Sequence, residues 1–181
     1  MADVDRERAR RVFEERARIL ARPLRPEEPD GIVEMIVMSV GSERYGVDGR
    51  SVREVVERAD VTPVPGTPAF WSGIVNVRGT LHPVLDLRRY LSLADGAAAG
   101  STTTVVLVSG AGLTAGILVD DAPELRRLPG AAVGPPLGGT PDTVHRVARG
   151  VTEDLLTVLD VEALLADPRL AVREESHDDP T

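Results

Sequence analysis

Cysteine is absent from the 181-residue chain, which excludes disulfides, cysteine-ligated zinc and cysteine nucleophiles. Aromatic residues make up only 3%. The core must therefore be built from Val, Leu, Ile and Ala, and branched aliphatics favour strands. So few aromatics also leave no stacking platform for single-stranded nucleic acid. Lysine is missing: all 21 basic residues are arginine, a bias of composition rather than of function. The formal charge of −8 repels phosphate backbones and argues against nucleic-acid binding. Long apolar runs are also lacking. The charge-free stretch 96–119 could span a bilayer by length, but it holds five Gly and six Ser/Thr. Its strongest apolar run is Val105-Val106-Leu107-Val108, which fits two short strands joined by a turn better than a membrane helix. The heavily charged N-terminus shows no secretory signal. These features point to a cytoplasmic protein without direct membrane insertion.

What is present is a globular balance, with 42% hydrophobic and 28% charged residues, enough for one ordinary domain or two small lobes sharing a core. Residues 1–31 form a leading segment. A helix is expected over 5–22, with Phe13, Ala17 and Leu20 in an apolar stripe widened by Val12 and Ile19. A stiff spacer with prolines 23, 26 and 29 follows. From Ile32 the pattern changes to short strands: 32–40, 44–48, a helical turn or strand around Val52–Val56, 72–77 and 80–86 joined at Arg78-Gly79, then a helical turn at 87–91. Prolines 63, 65 and 68 bar the 61–68 stretch from a central strand. Residues 92–103 read as a small-residue loop. A hairpin is expected over 104–109 and 114–119, and a long surface loop over 129–143. Strands follow at 144–150 and 155–160, then a short helix at 161–166. The β-rich domain spans 32–167, and residues 168–181 are expected to form an acidic, disordered tail.

An internal repeat is visible. Val84-Leu85-Asp86-Leu87 with Leu91 matches Val158-Leu159-Asp160-Val161 with Leu165 at an offset of 74 residues. Val47-Asp48 and Val119-Asp120 recur at 72, and Glu54 and Glu124 at 70. Ordered matches of this kind imply two copies of one β unit, each of about five short strands and suited to a small barrel. The expected fold is mostly β, with two barrel lobes side by side; whether the chain crosses between them is left open at this stage.

Catalytic and metal chemistry find little support. His82, His145 and His177 lack a Gly-x-Ser-x-Gly elbow or comparable partner. Asp120-Asp121 has no third ligand at metal spacing and reads as a strand-end turn. Gly110-Ala111-Gly112 and Gly138-Gly139 do not stand between a strand and a helix, as a phosphate loop must. No catalytic residue, metal or cofactor is expected.

The chain resembles the CheW family of chemotaxis coupling proteins. The resemblance rests on Phe70-Trp71-Ser72-Gly73-Ile74-Val75-Asn76-Val77-Arg78-Gly79 and on Leu81-His82-Pro83-Val84-Leu85-Asp86-Leu87-Arg88. Tyr45-Gly46-Val47-Asp48, Val64-Pro65 and Gly116-Ile117-Leu118-Val119-Asp120 add to it. It runs from about residue 32 to 167 and implies two SH3-like five-stranded barrels and no enzymatic activity. It also implies an adaptor coupling the cytoplasmic tips of chemoreceptors to the regulatory domain of a CheA-type histidine kinase, at membrane-associated receptor arrays. Other CheW-like proteins are a further partner class. The implied receptor groove takes Val52, Glu54, Gly73 and Arg78.

The chemistry of those residues is consistent with this role. Helix-in-groove recognition needs an apolar trough with a few placed polar groups. Val52 and Val77 can supply the trough, Gly73 a close backbone approach, and Arg78 a planar donor fork. Trp71 stands where the family usually has an aliphatic residue; it could widen the apolar wall or mark a different partner. Asp86 or another nearby acid is the expected intramolecular partner should Arg78 be a mere surface charge.

Rival readings are a scaffold for a non-flagellar chemosensory pathway with other receptors and kinases, and a small-ligand-binding barrel. The latter would need a polar constellation in a pocket, which the sequence does not supply. A coupling protein fused to a phospho-acceptor domain is not expected either, since little sequence follows Leu165.

Overall fold

The run Thr104–Val108 shows how sequence dictates architecture here. All five residues are buried, because the strand they form is covered on both faces. Val105 and Leu107 point into one small barrel with Val75 and Val84. Val106 and Val108 point the other way, into a larger apolar layer. A strand buried on both faces loses the polar alternation of a half-exposed one.

The computed structural model describes residues 31–93, 103–137 and 140–171. The helix expected over 5–22, the proline spacer, most of the 92–103 loop and residues 172–181 lie outside the described residues. The expected disordered tail is corrected at its start, where Pro168–Leu170 form a 3-10 turn that buries Leu170 in the core. Eleven strands are present among the described ones: β1 (Ile32–Val40), β2 (Glu43–Asp48), β3 (Val52–Val56), β4 (Val61–Thr62), β5 (Trp71–Val77), β6 (Thr80–Leu85), β7 (Thr104–Gly110), β8 (Leu113–Val119), β9 (Glu124–Pro129), β10 (Ala148–Val151) and β11 (Thr157–Leu159). Three short helices accompany them: α1 (Leu87–Tyr90), α2 (Asp142–Val147) and α3 (Val161–Leu165).

The strands form two sheets, ordered β10-β11-β2-β1-β9 and β3-β7-β8-β6-β5-β4. The chain therefore does cross between lobes: it begins and ends in the first and spends β3 to β8 in the second. The repeat explains the crossing. β1, β2 and β3 correspond to β7, β8 and β9 at an offset of 70, since Glu124 pairs with Val37 as Glu54 pairs with Leu107. β6 corresponds to β11 at an offset of 74. Val84 pairs in parallel with Gly116, and Val158 pairs in parallel with Gly46. Each copy thus donates its last strand to the hairpin of the other. The sequence match of Val47-Asp48 with Val119-Asp120 at an offset of 72 is corrected, because Val47 is structurally equivalent to Ile117. The helices follow the repeat as well. Asp86 caps α1 by accepting from the Arg89 amide, and Asp160 caps α3 by accepting from the Ala163 amide. A capping acid contributes about 1 kcal/mol at a helix start.

The exchange leaves one large apolar layer between the lobes. It takes Met38, Val40, Tyr45 and Val47 from the first hairpin and Val106, Val108, Ile117 and Val119 from the second. Leu87, Tyr90, Val161, Leu164 and Leu165 come from the short helices. The two barrel interiors are separately filled, one by Met35, Val37, Leu128, Leu156 and Val158 and the other by Val75, Val84, Val105 and Leu107. Aliphatic side chains fill small barrels of this kind, leaving a packed core instead of a ligand chamber.

Several expectations are corrected. The second lobe has a sixth strand, the two-residue β4, which ends where Pro63 removes the next ladder donor. The stretch 144–150 is not one strand. Pro141 starts a helical turn that buries Val144 and Val147 at i,i+3 spacing, and only then does β10 begin. The 129–143 stretch is not simply a surface loop. It holds a 3-10 turn at Gly130–Ala132, and Gly134 pairs with Val151 to cover the edge of β10.

Candidate functional site

Three elements of the second lobe position the residues singled out by sequence. Val52 and Glu54 lie on β3, and Trp71, Gly73 and Val77 on β5. Arg78 occupies the two-residue β5–β6 hairpin. β3 and β5 are far apart in sheet order, but barrel closure brings their ends together. Arg78 Nη2 donates to Glu54 Oε1 at 3.1 Å. The pair stands at the surface, with Arg78 82% and Glu54 33% exposed. Asp86, the acid expected beside Arg78, is occupied elsewhere, capping α1 and pairing with Arg89.

The hairpin holding Arg78 has the same left-handed pair as the Ala111-Gly112 hairpin between β7 and β8. Arg78 has φ +52° and Gly79 φ +86°, the two left-handed residues of a type I′ turn. Such turns favour Asn or Gly at the first position, and an ordinary L-residue there costs about 1 kcal/mol or more. Asn76 offsets part of this cost, since its Oδ1 accepts from the Gly79 amide at 2.9 Å. The strain is retained at an exposed tip, where it aims a guanidinium outward beside a carboxylate. Backbone strain of this kind clusters at binding sites.

Gly73 is buried with φ +142°. A Cβ there would collide with the Thr62 carbonyl and the Pro63 Cα. The close backbone approach that glycine permits is thus to the chain's own β4 segment. Strand pairing shifts register between Trp71 and Gly73, and again between Val52 and Glu54 on the opposite wall. Bulges re-aim side chains at barrel rims, and both flank this site. Val52 and Val77 are half-buried but do not form one trough: Val52 packs against the inter-lobe layer and Val77 against the interior of the second barrel. Trp71 is half-buried against the inter-lobe layer, its ring 5.9 Å from that of Phe70.

The matching end of the first lobe also holds an ion cluster, but from residues that are not the repeat equivalents of Glu54 and Arg78. There the basic residue, Arg126, is on the edge strand β9 and the acid, Asp154, is on the β10–β11 turn. Arg126 donates to Asp154 at 2.6 Å and Arg44 joins at 3.1 Å. The hydrogen bond from Arg126 holds the Asp154 carboxyl well below the usual carboxylate range. Both turns also expose a leucine at the repeat offset, Leu81 at 61% and Leu155 at 66%. The leucines were missed by sequence reasoning; the repeat, extended through the turns, was the signal that could have found them.

Among the described residues, no three His, Cys, Asp or Glu side chains converge to hold a metal. No helix among them is long and apolar enough to cross a membrane.

Two lobes with exchanged strands, filled barrel interiors and a charged hairpin tip define a small β scaffold. The CheW-like domain model matches residues 34–169. Protein FrzA of Myxococcus xanthus is 35% identical over 156 residues, covering 84% of this chain and 94% of its own. The chemotaxis protein CheW of Klebsiella aerogenes is 28% identical over 142 residues, covering 77% and 85%. Among solved structures, the scaffolding protein TtCheW from Thermoanaerobacter tengcongensis superposes with a TM-score of 0.66 at 25% identity, covering 77% of this chain and 96% of that one. The chain belongs to the CheW family and is a chemotaxis coupling adaptor. Proteins of this family are scaffolds and not enzymes.

Proposed function

We propose that this chain is non-catalytic and joins two partners by position alone. The face around Glu54 and Arg78, flanked by Val52, Val77 and Trp71, receives the helical hairpin at a chemoreceptor's cytoplasmic tip, and Gly73 shapes it from beneath by its close packing on β4. The lobes pair with the regulatory domain of a CheA-type histidine kinase, and residues 32–167 form the coupling unit. The protein works in the cytoplasm, recruited to receptor arrays at the membrane. The observation that carries this reading is the Glu54–Arg78 pair on a strained, exposed hairpin. The two-residue hairpin recurs at Ala111-Gly112, so what is particular here is the side chain: a guanidinium held 82% exposed at the tip, in an ion pair worth at most about 1 kcal/mol. Exposed Leu81 and Leu155 give each lobe an apolar anchor for lobe-to-lobe pairing, with the kinase domain or with another CheW-like protein.

A second reading is a scaffold for a non-flagellar chemosensory pathway. The identity to FrzA, 35%, exceeds that to the Klebsiella CheW, 28%, and favours it. Both readings share one mechanism and differ in the receptor and kinase set.

The test is calorimetric titration of the full chain, native and Arg78→Ala, against a receptor-tip fragment and a kinase regulatory domain from the same organism. Binding to both partners, with only the receptor titration weakened by Arg78→Ala, supports the adaptor. Absence of binding to every receptor–kinase pair of that organism would sink it.

A further inference from the structure

Trp71 is the only tryptophan in the chain. Among the described residues, its indole Nε1 is the one buried side-chain nitrogen or oxygen without a hydrogen-bond partner. A buried donor without an acceptor forfeits its hydration and gains nothing in return. Indole nitrogen is a donor only, so it has no second role to play there. A phenyl or aliphatic side chain could fill the same apolar place against Phe70 and the inter-lobe layer without that cost. Packing alone therefore does not account for an indole at this position.

The surroundings say where an acceptor can come from. Trp71 opens β5, the strand that also carries Gly73 and Val77 and leads to Arg78. Its pairing with Leu85 is cut off from the rest of the ladder by the register shift before Gly73, so the regular pleat does not fix its direction. The residue is half-buried, with part of its surface already facing solvent.

We propose that Trp71 is a specificity-determining contact of the face described above. Its indole turns outward when a partner docks, and its N–H donates to a carbonyl or carboxamide oxygen on the docked helical hairpin. This rests on the adaptor reading and names the chemistry that the partner must present: an oxygen acceptor set beside an apolar helix face. Tryptophan suits the task, because it gives a large rigid contact and one directional donor. A hairpin with only aliphatic side chains at that point gains the contact area and loses the hydrogen bond.

The experiment compares the native full chain with Trp71→Phe and Trp71→Leu, which both lack the donor, and with Arg78→Ala. Each is melted alone and titrated with the receptor-tip hairpin, and the native protein's fluorescence is followed during titration. Trp71→Phe is expected to melt no lower than about 2 °C below the native chain, since it removes an unpaired donor. It should bind about tenfold more weakly, as loss of a central interface contact does. The native emission should change on docking, as the indole leaves its seat beside Phe70 and gains a hydrogen bond. Trp71→Leu covers the case in which the phenyl ring packs poorly. The assignment is overturned by binding of both variants within about twofold of native, or by an emission unchanged on docking. If the native chain binds and only Arg78→Ala weakens it, the adaptor reading stands and the Trp71 assignment falls. If the native chain does not bind the hairpin, both fall together.

Discussion

Arg88 Nη2 donates to Asp120 Oδ2 at 2.6 Å between α1 and the end of β8, with both side chains less than one-fifth exposed. The same carboxylate oxygen accepts the Gly41 amide at 2.5 Å, so one acid joins α1, the end of β8 and the first hairpin turn. The repeat supplies a counterpart with different residues. The Ala111 amide of the second hairpin donates to Glu162 of α3 at 2.6 Å, and Glu162 is the repeat equivalent of Arg88. Both hairpin turns are therefore bound by an acid reached across the lobe junction, from β8 in one half and from α3 in the other. Removing one member of a largely buried pair leaves the other charge without compensation. Arg88→Ala and Asp120→Asn should each cost about 2–4 kcal/mol in urea unfolding. The double variant Arg88→Ala with Asp120→Asn should cost less than their sum. Additive losses would mean that the two side chains stabilise the fold independently.

A second polar cluster ties the C-terminal end of the described chain to the repeat. Tyr90 of α1 donates to Asp167 at 2.7 Å, and Arg169 donates to both Asp167 and the Tyr90 hydroxyl. The Arg169 guanidinium also stands 4.5 Å over the Tyr90 ring. Burial pushes the Asp167 carboxyl up, but hydrogen bonds from Arg169 and Tyr90 more than reverse this and hold it at about 2. Burial, with Asp167 second, pushes the Tyr90 hydroxyl up. The sign for stability follows from the lowered carboxyl. The unfolded chain takes up this proton near pH 4 and the folded chain only near pH 2. The contribution is thus complete above about pH 4 and is lost as pH falls toward about 2. Asp167→Asn should lower stability at pH 7 by on the order of 2 kcal/mol and flatten the acid limb of the stability–pH curve. An acid limb identical to that of the native protein would contradict the assignment.

Gly73 makes a sharper steric test. Its φ of +142° and the Thr62 carbonyl facing its missing Cβ leave no accommodating movement except displacement of β4. Gly73→Ala should destabilise by about 2–3 kcal/mol or more, since strain and overpacking act together. Thermal unfolding measures this directly. A loss below about 0.5 kcal/mol would mean that the 61–68 segment yields freely.

The elements legible in the sequence were those set by local chemistry. Arg78-Gly79 between two apolar alternations marked a hairpin, 87–91 and 161–166 read as short helical segments, and the prolines of 61–68 barred a central strand. The single-turn α2 was hidden, because Gly and Pro at 129–141 read as loop and Val144 with Val147 fits a strand as readily as one helical turn. The exchange of strands was hidden for a different reason. The repeat shows two copies, but which copy's hairpin receives β6 or β11 depends on contacts more than 30 residues apart, and no local signal carries that. The candidate site divides along the same line. Its residue types were visible, but the pairing of Arg78 with Glu54 and not Asp86 required the barrel to close and Asp86 to be taken up by α1.

That pairing yields the prediction that separates stability from function. Arg78 and Glu54 form an exposed ion pair, so Arg78→Glu should change unfolding stability by no more than about 1 kcal/mol, mostly through repulsion with Glu54. The exchanged double variant Glu54→Arg with Arg78→Glu restores an ion pair of opposite direction and should recover most of that loss. Binding should behave differently. If the guanidinium at the hairpin tip is what the receptor recognises, both the single and the exchanged variant lose receptor affinity by about tenfold or more, because a carboxylate on the tip cannot donate. Kinase-domain binding through the lobes should be unchanged in both. Paired unfolding and titration of the three proteins resolves the two effects. Recovery of receptor affinity in the exchanged variant would show that the pair acts only by holding the barrel closed, and that Arg78 itself touches no partner.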